Sequence, residues 1–139
     1  AGGELGAKKI GTSISHGLYV GDAVVGRGVN LGAGTMFATT RLDWKEVYPL
    51  GQQSVVQDAS GVKLDLPPVG FKFSAIVGDW ANVACGSILG PGAVIGRRSR
   101  LYPQSVVTGY IPPDHTSIRR GLLRAIRGNR GVGTYSGRI

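Results

Sequence analysis

The sequence has little cysteine and histidine and no long run of apolar residues. Cys85 is the only cysteine among 139 residues, which excludes an intramolecular disulfide and makes a reducing, cytoplasmic location the default expectation. No stretch approaches the ~18 consecutive apolar residues that cross a bilayer. Ala1 to Glu4 is no secretory signal, and a start without Met is expected of a processed protein or an excised domain.

Only two histidines are present, and this scarcity bears on metal chemistry. A β-helical zinc enzyme of the carbonic anhydrase type needs three histidine ligands, whereas this chain has His16 and His115, far apart in sequence. We therefore expect no metal in the site.

Acids are also scarce near the C-terminus, where nine arginines and one acid, Asp114, lie between Arg97 and Arg138. The net charge of +8 permits phosphate-bearing ligands, but no nucleic-acid module or interleaved aromatics accompany it, so neither nucleic acid nor a membrane is expected as a partner.

What the sequence has is a six-residue repeat and 24 glycines. Six aliphatic residues follow one another at steps of six: Val77, Val83, Leu89, Ile95, Leu101 and Val107. Small residues recur four positions later, and glycine is common one position after the aliphatic. This pattern predicts a chain that turns a corner every six residues, with the aliphatics stacked inward and three hexads in each coil of about 18 residues.

The N-terminal half continues the frame and supports the same fold. Val25 and Leu31 lie six apart, and so do Ile14 and Val20, with a one-residue slip before Val25. The alternative is a β-sandwich of short strands, but a sandwich needs turn signals every 8–12 residues and alternating faces. We therefore predict an all-β fold, a parallel β-helix over residues 1–115.

Two segments depart from the repeat. Residues 43–75 are predicted to be an inserted β-arm, with a hairpin whose turn lies at 57–60. Residues 116–128 have Ile118, Leu122, Leu123 and Ile126 at helical spacing, which predicts a basic amphipathic α-helix capped by Thr116 or Ser117. This helix is interpreted as an end cap of the β-helix or, alternatively, as a phosphate-binding helix. Residues 129–139 are predicted to be a flexible tail.

Two short motifs are more specific than the repeat. They are His16-Gly17-Leu18-Tyr19-Val20-Gly21-Asp22-Ala23 and Gly28-Val29-Asn30-Leu31-Gly32-Ala33-Gly34-Thr35. They resemble the acetyltransferase domain of the bifunctional enzyme that makes UDP-N-acetylglucosamine, which has His-x-x-Tyr-Ile-Gly-Asp-Ala and then Val-Asn-Ile-Gly-Ala-Gly-Thr. Arg41-x-Asp43, the arm and the stretch 73–79 resemble a related group, the sugar-1-phosphate nucleotidylyltransferases with a C-terminal β-helix. The resemblance covers roughly residues 8–115.

The resemblance implies a left-handed β-helix, a homotrimer with active sites between subunits, and acetyl transfer from acetyl-CoA to an amino-sugar 1-phosphate such as glucosamine 1-phosphate. An amine attacks a thioester only as the free base, and an imidazole can take up its proton, so His16 is implied as the general base. The implied substrate-binding residues are Tyr19, Asn30, Arg41, Lys45 and Lys9, with Lys8 as a neighbour of the last. The implied cofactor-binding residues are Ala33, Cys85 and Pro103.

The chain also departs from the family pattern. The family has Ala-Asn where this chain has Ala38-Thr39, and that asparagine helps to hold substrate or CoA. Trp44 replaces a basic residue common in the nucleotidylyltransferase group. These departures favour a second hypothesis, a non-catalytic β-helix that trimerises or regulates a sugar-1-phosphate nucleotidylyltransferase.

Overall fold

The computed structural model describes residues 11–14, 16–50, 55–57, 63–65, 67–119 and 122–125. All regular elements in these residues are short β-strands, and none of them is a helix. The strands are β1 (Ser13–Ile14), β2 (Val24–Val25), β3 (Asn30–Leu31), β4 (Met36–Phe37), β5 (Val55–Gln57), β6 (Lys63–Asp65), β7 (Ala75–Val77), β8 (Asn82–Val83), β9 (Ile88–Leu89), β10 (Ala93–Ile95), β11 (Arg100–Leu101), β12 (Val106–Val107), β13 (Tyr110–Ile111), β14 (His115–Arg119) and β15 (Leu122–Ala125).

Three parallel sheets form the sides of the β-helix. Face 1 has the strand order β1-β3-β8-β11-β14, face 2 has β4-β9-β12, and face 3 has β2-β7-β10-β13. The chain visits the faces in the order 1, 2, 3, so each strand pairs with the strand one coil away. This is the predicted parallel β-helix of hexapeptide repeats, and it is consistent with the left-handed form that the resemblance implies.

The register shows where the six-residue frame is kept and where it slips. In the most regular part, Asn82 pairs with Arg100, one full coil of 18 residues later. The first coil is one residue shorter because Ser13 pairs with Asn30. The last full coil is two residues shorter because Ile95 pairs with Ile111. Ile111 is therefore an inward residue and not the small corner residue that the uninterrupted frame predicts.

The core is the column of aliphatic residues that the repeat identifies. Val77, Val83, Leu89, Ile95 and Val107 are all at most 1% exposed. Burying a Val, Leu or Ile side chain fully contributes about 1.5–3 kcal/mol each, so this column supplies much of the stability. The residue two positions before each aliphatic is small, and it is often a hydroxyl that donates to a nearby carbonyl, as buried Ser87 does from Oγ to Ala84 O at 2.8 Å.

Glycine serves the corners in two different ways. Left-handed backbone occurs three positions after the aliphatic, at Gly28 and Gly86 but also at Trp80 and Arg98. The glycine one position after the aliphatic is needed for another reason, since a Cβ on Gly78 would lie 2.6 Å from the backbone nitrogen of Arg97 in the next coil. This glycine does not supply a left-handed backbone, because Gly78 is not among the residues with positive φ. It permits the coils to stack closely.

The arm leaves the β-helix between face 2 and face 3 of the second coil. Asn30 pairs with Asn82, a step of 52 residues that exceeds one coil by 34. The base of the arm is closed by backbone bonds from Phe73 N to Thr39 O at 2.9 Å and from Val47 N to Gly70 O at 2.7 Å. Farther out, β5 and β6 pair antiparallel, as the predicted hairpin requires.

The predicted amphipathic helix over 116–128 is wrong for the residues that the structure describes. β14 continues face 1 by pairing with β11, and β15 then pairs antiparallel with β14. Thr116 and Ser117, the proposed caps, lie within β14. The physical reason is the open edge of β11, which offers unpaired backbone groups that a strand satisfies and a helix does not. Gly121, between the two strands, also disfavours a helix interior. The predicted tail, 129–139, lies outside the described residues.

Candidate functional site

The corner between face 1 and face 2 gathers the predicted catalytic residue and the predicted cofactor-binding residues. His16 turns this corner in the first coil, and Ala33, Cys85 and Pro103 turn it in the next three coils. Backbone bonds connect successive turns, from Gly34 N to Gly17 O at 2.6 Å, from Gly86 N to Ala33 O at 2.8 Å and from Gln104 N to Cys85 O at 2.9 Å. We call this line of residues, His16-Ala33-Cys85-Pro103, the corner column.

The corner column is accessible along its length. All four of its residues are exposed, and so is Cys85 as a free thiol. His16 has a left-handed backbone with φ of 73°, which is uncommon for a residue with a side chain. Strands stack about 4.8 Å apart, so the four turns form a strip about 14 Å long. An extended ligand can lie along such a strip with one end at His16.

Two of the predicted substrate-binding residues border the corner column. Tyr19 lies outward on face 2 in the coil of His16, where it pairs with Met36. Its ring lies across Gly21, since a Cβ at Gly21 would be 2.8 Å from Tyr19 Cζ. Asn30 lies outward on face 1, exposed beside the turn at Ala33. His16, Tyr19 and Asn30 thus lie in the first two coils around the corner between face 1 and face 2, with the Tyr19 ring directed along face 2 towards Gly21.

Asn82 is a site residue that the sequence analysis missed. The side-chain amide of Asn30 donates from Nδ2 to Asn82 Oδ1 at 3.0 Å. This bond fixes the orientation of the Asn30 amide at the edge of the corner column. The signal was present, because Asn30 and Asn82 both precede an inward aliphatic and so occupy the same repeat position.

A shallow groove of about 430 Å³ flanks the far end of the corner column. It contains Pro103 of the column together with residues that were not predicted. Its lining comprises Asn82, Ala84, Arg100, Leu101, Tyr102, Pro103 and Thr116. Arg100 and Tyr102 are exposed, so the groove offers a cation and an aromatic ring next to the column.

Arg41 and Lys45 lie elsewhere, at the base of the arm on the corner between face 2 and face 3. Arg41 Nε donates to Asp43 Oδ1 at 2.7 Å, and Arg41 Nη2 pairs with Asp43 Oδ2. The hydrogen bond from Arg41 lowers the pKa of Asp43 well below its usual range and raises the pKa of Arg41. Because face 2 separates the two corners, the structure does not bring Arg41 or Lys45 to His16 within one chain.

The remaining predicted positions are Lys8, Lys9 and Thr39. Lys8 and Lys9 lie outside the described residues. Thr39, at the family's asparagine position, lies at the arm base, where its carbonyl accepts from Phe73 N. Among the described residues there is no group of three or more His, Cys, Asp and Glu that could hold a metal, and no helix long and apolar enough to span a membrane.

The chain is similar in sequence to bifunctional enzymes of sugar nucleotide synthesis. It is 35% identical over 97 residues to a bifunctional sugar-1-phosphate nucleotidylyltransferase/acetyltransferase of Sulfurisphaera tokodaii, covering 70% of this chain and 22% of that protein. It is 32% identical over 121 residues to the bifunctional protein GlmU of Nitrosospira multiformis, covering 85% of this chain and 20% of that protein. No family model matches the chain.

A third relative gives the same result over a shorter stretch. The chain is 37% identical over 81 residues to the bifunctional protein GlmU of Aquifex aeolicus, covering 57% of this chain and 15% of that protein. The chain therefore spans about a fifth of the length of the curated relatives it matches. These similarities confirm the resemblance that the motifs at 16–23 and 28–35 carry, and they are consistent with a C-terminal β-helix of that family.

Proposed function

Since this chain is a relative of the bifunctional sugar-1-phosphate nucleotidylyltransferase/acetyltransferases, we propose that its β-helix transfers an acetyl group from acetyl-CoA to the amine of an amino-sugar 1-phosphate such as glucosamine 1-phosphate. The observation that carries the proposal is the corner column, in which His16 stands at one end of a line formed by Ala33, Cys85 and Pro103. Tyr19 and Asn30 border the same end and are the proposed sugar-binding residues.

The proposed chemistry uses His16 as the general base. The amine nitrogen attacks the thioester carbonyl, the C–N bond forms, the C–S bond breaks, and CoA leaves as the thiolate, which takes up a proton afterwards. His16 takes the proton that the amine loses, which is a task suited to imidazole when it lies within hydrogen-bond reach. Backbone N–H groups of the corner column are candidate donors to the developing oxyanion. Cys85 is assigned to cofactor binding and not to a covalent step.

A homotrimer is proposed because the site residues are divided between two corners. Arg41 and Lys45 of one chain cannot join His16 of the same chain, but a neighbouring subunit can bring its arm to the corner column. The outward side chains of face 2 support contact between copies, because they are large, apolar and 41–52% exposed, namely Tyr19, Met36, Ile88 and Val106. Light scattering on the purified chain should give three times the chain mass, and Ile88→Glu should lower it.

The test is acetyl transfer followed by thiol release. The chain is incubated with acetyl-CoA and glucosamine 1-phosphate, and free thiol is titrated over time above the constant background from exposed Cys85. Glucose 1-phosphate, which lacks the amine, is the matched control. We expect release only with the amino sugar. Absence of turnover with several amino sugars, together with absence of CoA binding, would reject the proposal.

Thr39 favours the alternative function, a non-catalytic trimerising or regulatory β-helix. The family's asparagine at this position helps to hold substrate or CoA, whereas here the Thr39 hydroxyl lies 3.4 Å from that of Thr40. The variant Thr39→Asn separates the two hypotheses. If the wild-type chain binds CoA but turns over slowly and Thr39→Asn raises the rate, the catalytic proposal is supported. The cytoplasmic location stays a prediction.

A further inference from the structure

The base of the arm contains a second pocket, and the acetyl-transfer proposal uses its two cations but leaves its aromatic rings unexplained. Its volume is about 520 Å³, within the range of small-molecule sites. It is lined by Arg41, Trp44, Lys45, Glu46, Tyr48 and Phe71. We call it the arm-base pocket. It combines three aromatic rings, two cations and one carboxylate, although its residues come from two separate stretches of the chain.

The aromatic rings of the arm-base pocket are unusually exposed. Trp44 is 77% exposed and Phe71 is 62% exposed. Trp44 also has a left-handed backbone with φ of 57°, held by the bond from Trp44 N to Arg41 O at 3.1 Å. A left-handed backbone costs free energy in a residue that has a side chain, and such residues are concentrated at functional sites. Flat, accessible rings of this kind stack on the bases of nucleotides.

The charged groups of the arm-base pocket complement a phosphorylated nucleoside. Arg41 is held in place through its pair with Asp43, which engages Nε and Nη2, and the Arg41 side chain is 17% exposed. Lys45 is exposed and anchored through its backbone, which donates to Asp43 Oδ1 at 3.3 Å. Guanidinium and ammonium groups bind phosphate oxygens, while a carboxylate such as Glu46 accepts from the hydroxyls of a ribose.

We propose that the arm-base pocket binds a nucleoside diphosphate, with the base stacked on Trp44 and Phe71, the phosphates at Arg41 and Lys45, and the ribose at Glu46. This binding function goes beyond acetyl transfer, although both proposals assign a phosphate to Arg41 and Lys45. Two sources share the chemistry, namely the ADP end of CoA and the nucleotide end of a nucleotide sugar. A simple phosphate ligand would not need the rings, and an apolar ligand would not need the cations.

Tryptophan fluorescence tests the proposal directly, because Trp44 and Trp80 are the only tryptophans. In the Trp80→Phe chain, Trp44 is the only tryptophan reporter. We expect ADP or UDP to quench its emission saturably, with uridine and pyrophosphate each at least about tenfold weaker, since each lacks one of the recognised parts. The Trp44→Phe chain, in which Trp80 alone reports, is the matched control and should respond to neither nucleotide.

Variants in the Trp80→Phe background assign the contacts. Phe71→Ala should weaken nucleotide binding about tenfold through loss of one stacking ring. Leu42→Ala is the matched control, because Leu42 is fully exposed and does not line the pocket. Its affinity should equal that of the background. Titration with CoA and with UDP-N-acetylglucosamine then distinguishes the two sources.

Three outcomes would overturn the nucleotide proposal. They are no response of Trp44 to millimolar nucleotide, equal affinity for pyrophosphate and nucleoside diphosphate, and an emission shift of Trp44 that depends only on protein concentration, which would assign the pocket to contact with a second copy. Binding is measured without turnover, so these outcomes leave the acetyl-transfer proposal to its own assay.

Discussion

The two corners that border face 2 are built in different ways. The corner between faces 1 and 2 is formed by repeat positions in successive coils, so His16, Ala33, Cys85 and Pro103 line up because the coils stack. The corner between faces 2 and 3 is interrupted by the arm, and its pocket joins Trp44 and Tyr48 to Phe71 across an insertion. The first corner is a continuous strip suited to an extended ligand. The second is a local pocket suited to a compact one.

The largest effect is expected at the end of the corner column. His16→Ala should lower the turnover number for acetyl transfer by about 10²–10⁴-fold, the usual contribution of a general base. The rate of thiol release measures it, and an unchanged thermal unfolding curve shows that the fold is intact. Arg27→Ala, at an exposed corner away from the column, should keep the wild-type rate. A rate for His16→Ala within twofold of wild type would contradict the assigned role.

Face 2 connects the two corners, so the inward residue Leu89 on this face should stabilise both corners. Leu89 is fully buried, and Leu89→Ala should destabilise the chain by about 2–5 kcal/mol through lost burial and a cavity. Leu42→Ala makes the same change at a fully exposed position in the arm and should cost less than about 0.5 kcal/mol. Urea unfolding of both variants checks the contrast. Equal costs would mean that the stacked aliphatics are not the main core.

The two glycines that flank Ala33 of the corner column allow the effect of close approach to be distinguished from the effect of backbone strain. A Cβ on Gly32 would lie 2.5 Å from the backbone nitrogen of Cys85, whereas one on Gly34 would have its nearest neighbour 3.7 Å away. Gly32→Ala should therefore cost about 3 kcal/mol by forcing coils apart. Gly34→Ala, with φ of 71°, should cost about 1 kcal/mol of strain. Chemical denaturation measures both, and the reverse order would refute the close-approach argument.

The smallest effect on the fold is expected from removal of the arm. Deletion of residues 39–72 joins Ala38 to Phe73 and leaves five residues between Phe37 and Val77, which restores an uninterrupted hexad. Since the arm is an insertion at one corner, the change in unfolding free energy should be less than about 1 kcal/mol. The circular dichroism spectrum and cooperative unfolding should persist, while nucleotide binding should disappear. Loss of cooperative unfolding would show that the arm belongs to the core.

The corner column was within reach of sequence reasoning, and the arm-base pocket was not. His16, Tyr19 and Asn30 lie in motifs with family resemblance, which also implied Ala33, Cys85 and Pro103, and the repeat puts Cys85 and Pro103 one coil of 18 residues apart. Asn82 could have been found from its shared repeat position with Asn30. The sequence could not show that Phe71 lies beside Trp44, because the arm has no repeat from which the register of its two strands could be inferred.

The C-terminal segment shows where periodicity misleads. Ile118, Leu122, Leu123 and Ile126 satisfy helical spacing, yet the chain forms the strands β14 and β15. Helical spacing is a local property, whereas the open edge of β11 belongs to the assembled sheet. Pairing with that edge satisfies backbone groups that a helix would leave exposed. The last coil also loses two residues, which no local pattern signalled.

The sequence by itself determined that this chain coils, because an inward aliphatic at every sixth position can be buried only if successive turns stack. It also determined which edge of the coil carries His16, since residues a whole number of coils apart share a corner. Only the tertiary structure decided that Arg41 and Lys45 lie at a different corner, that three aromatic rings meet at the arm base, and that the end of the sheet is covered by a strand. The physical reason is that stacking repeats a local rule, whereas insertions and sheet edges depend on which distant backbone groups remain to be paired.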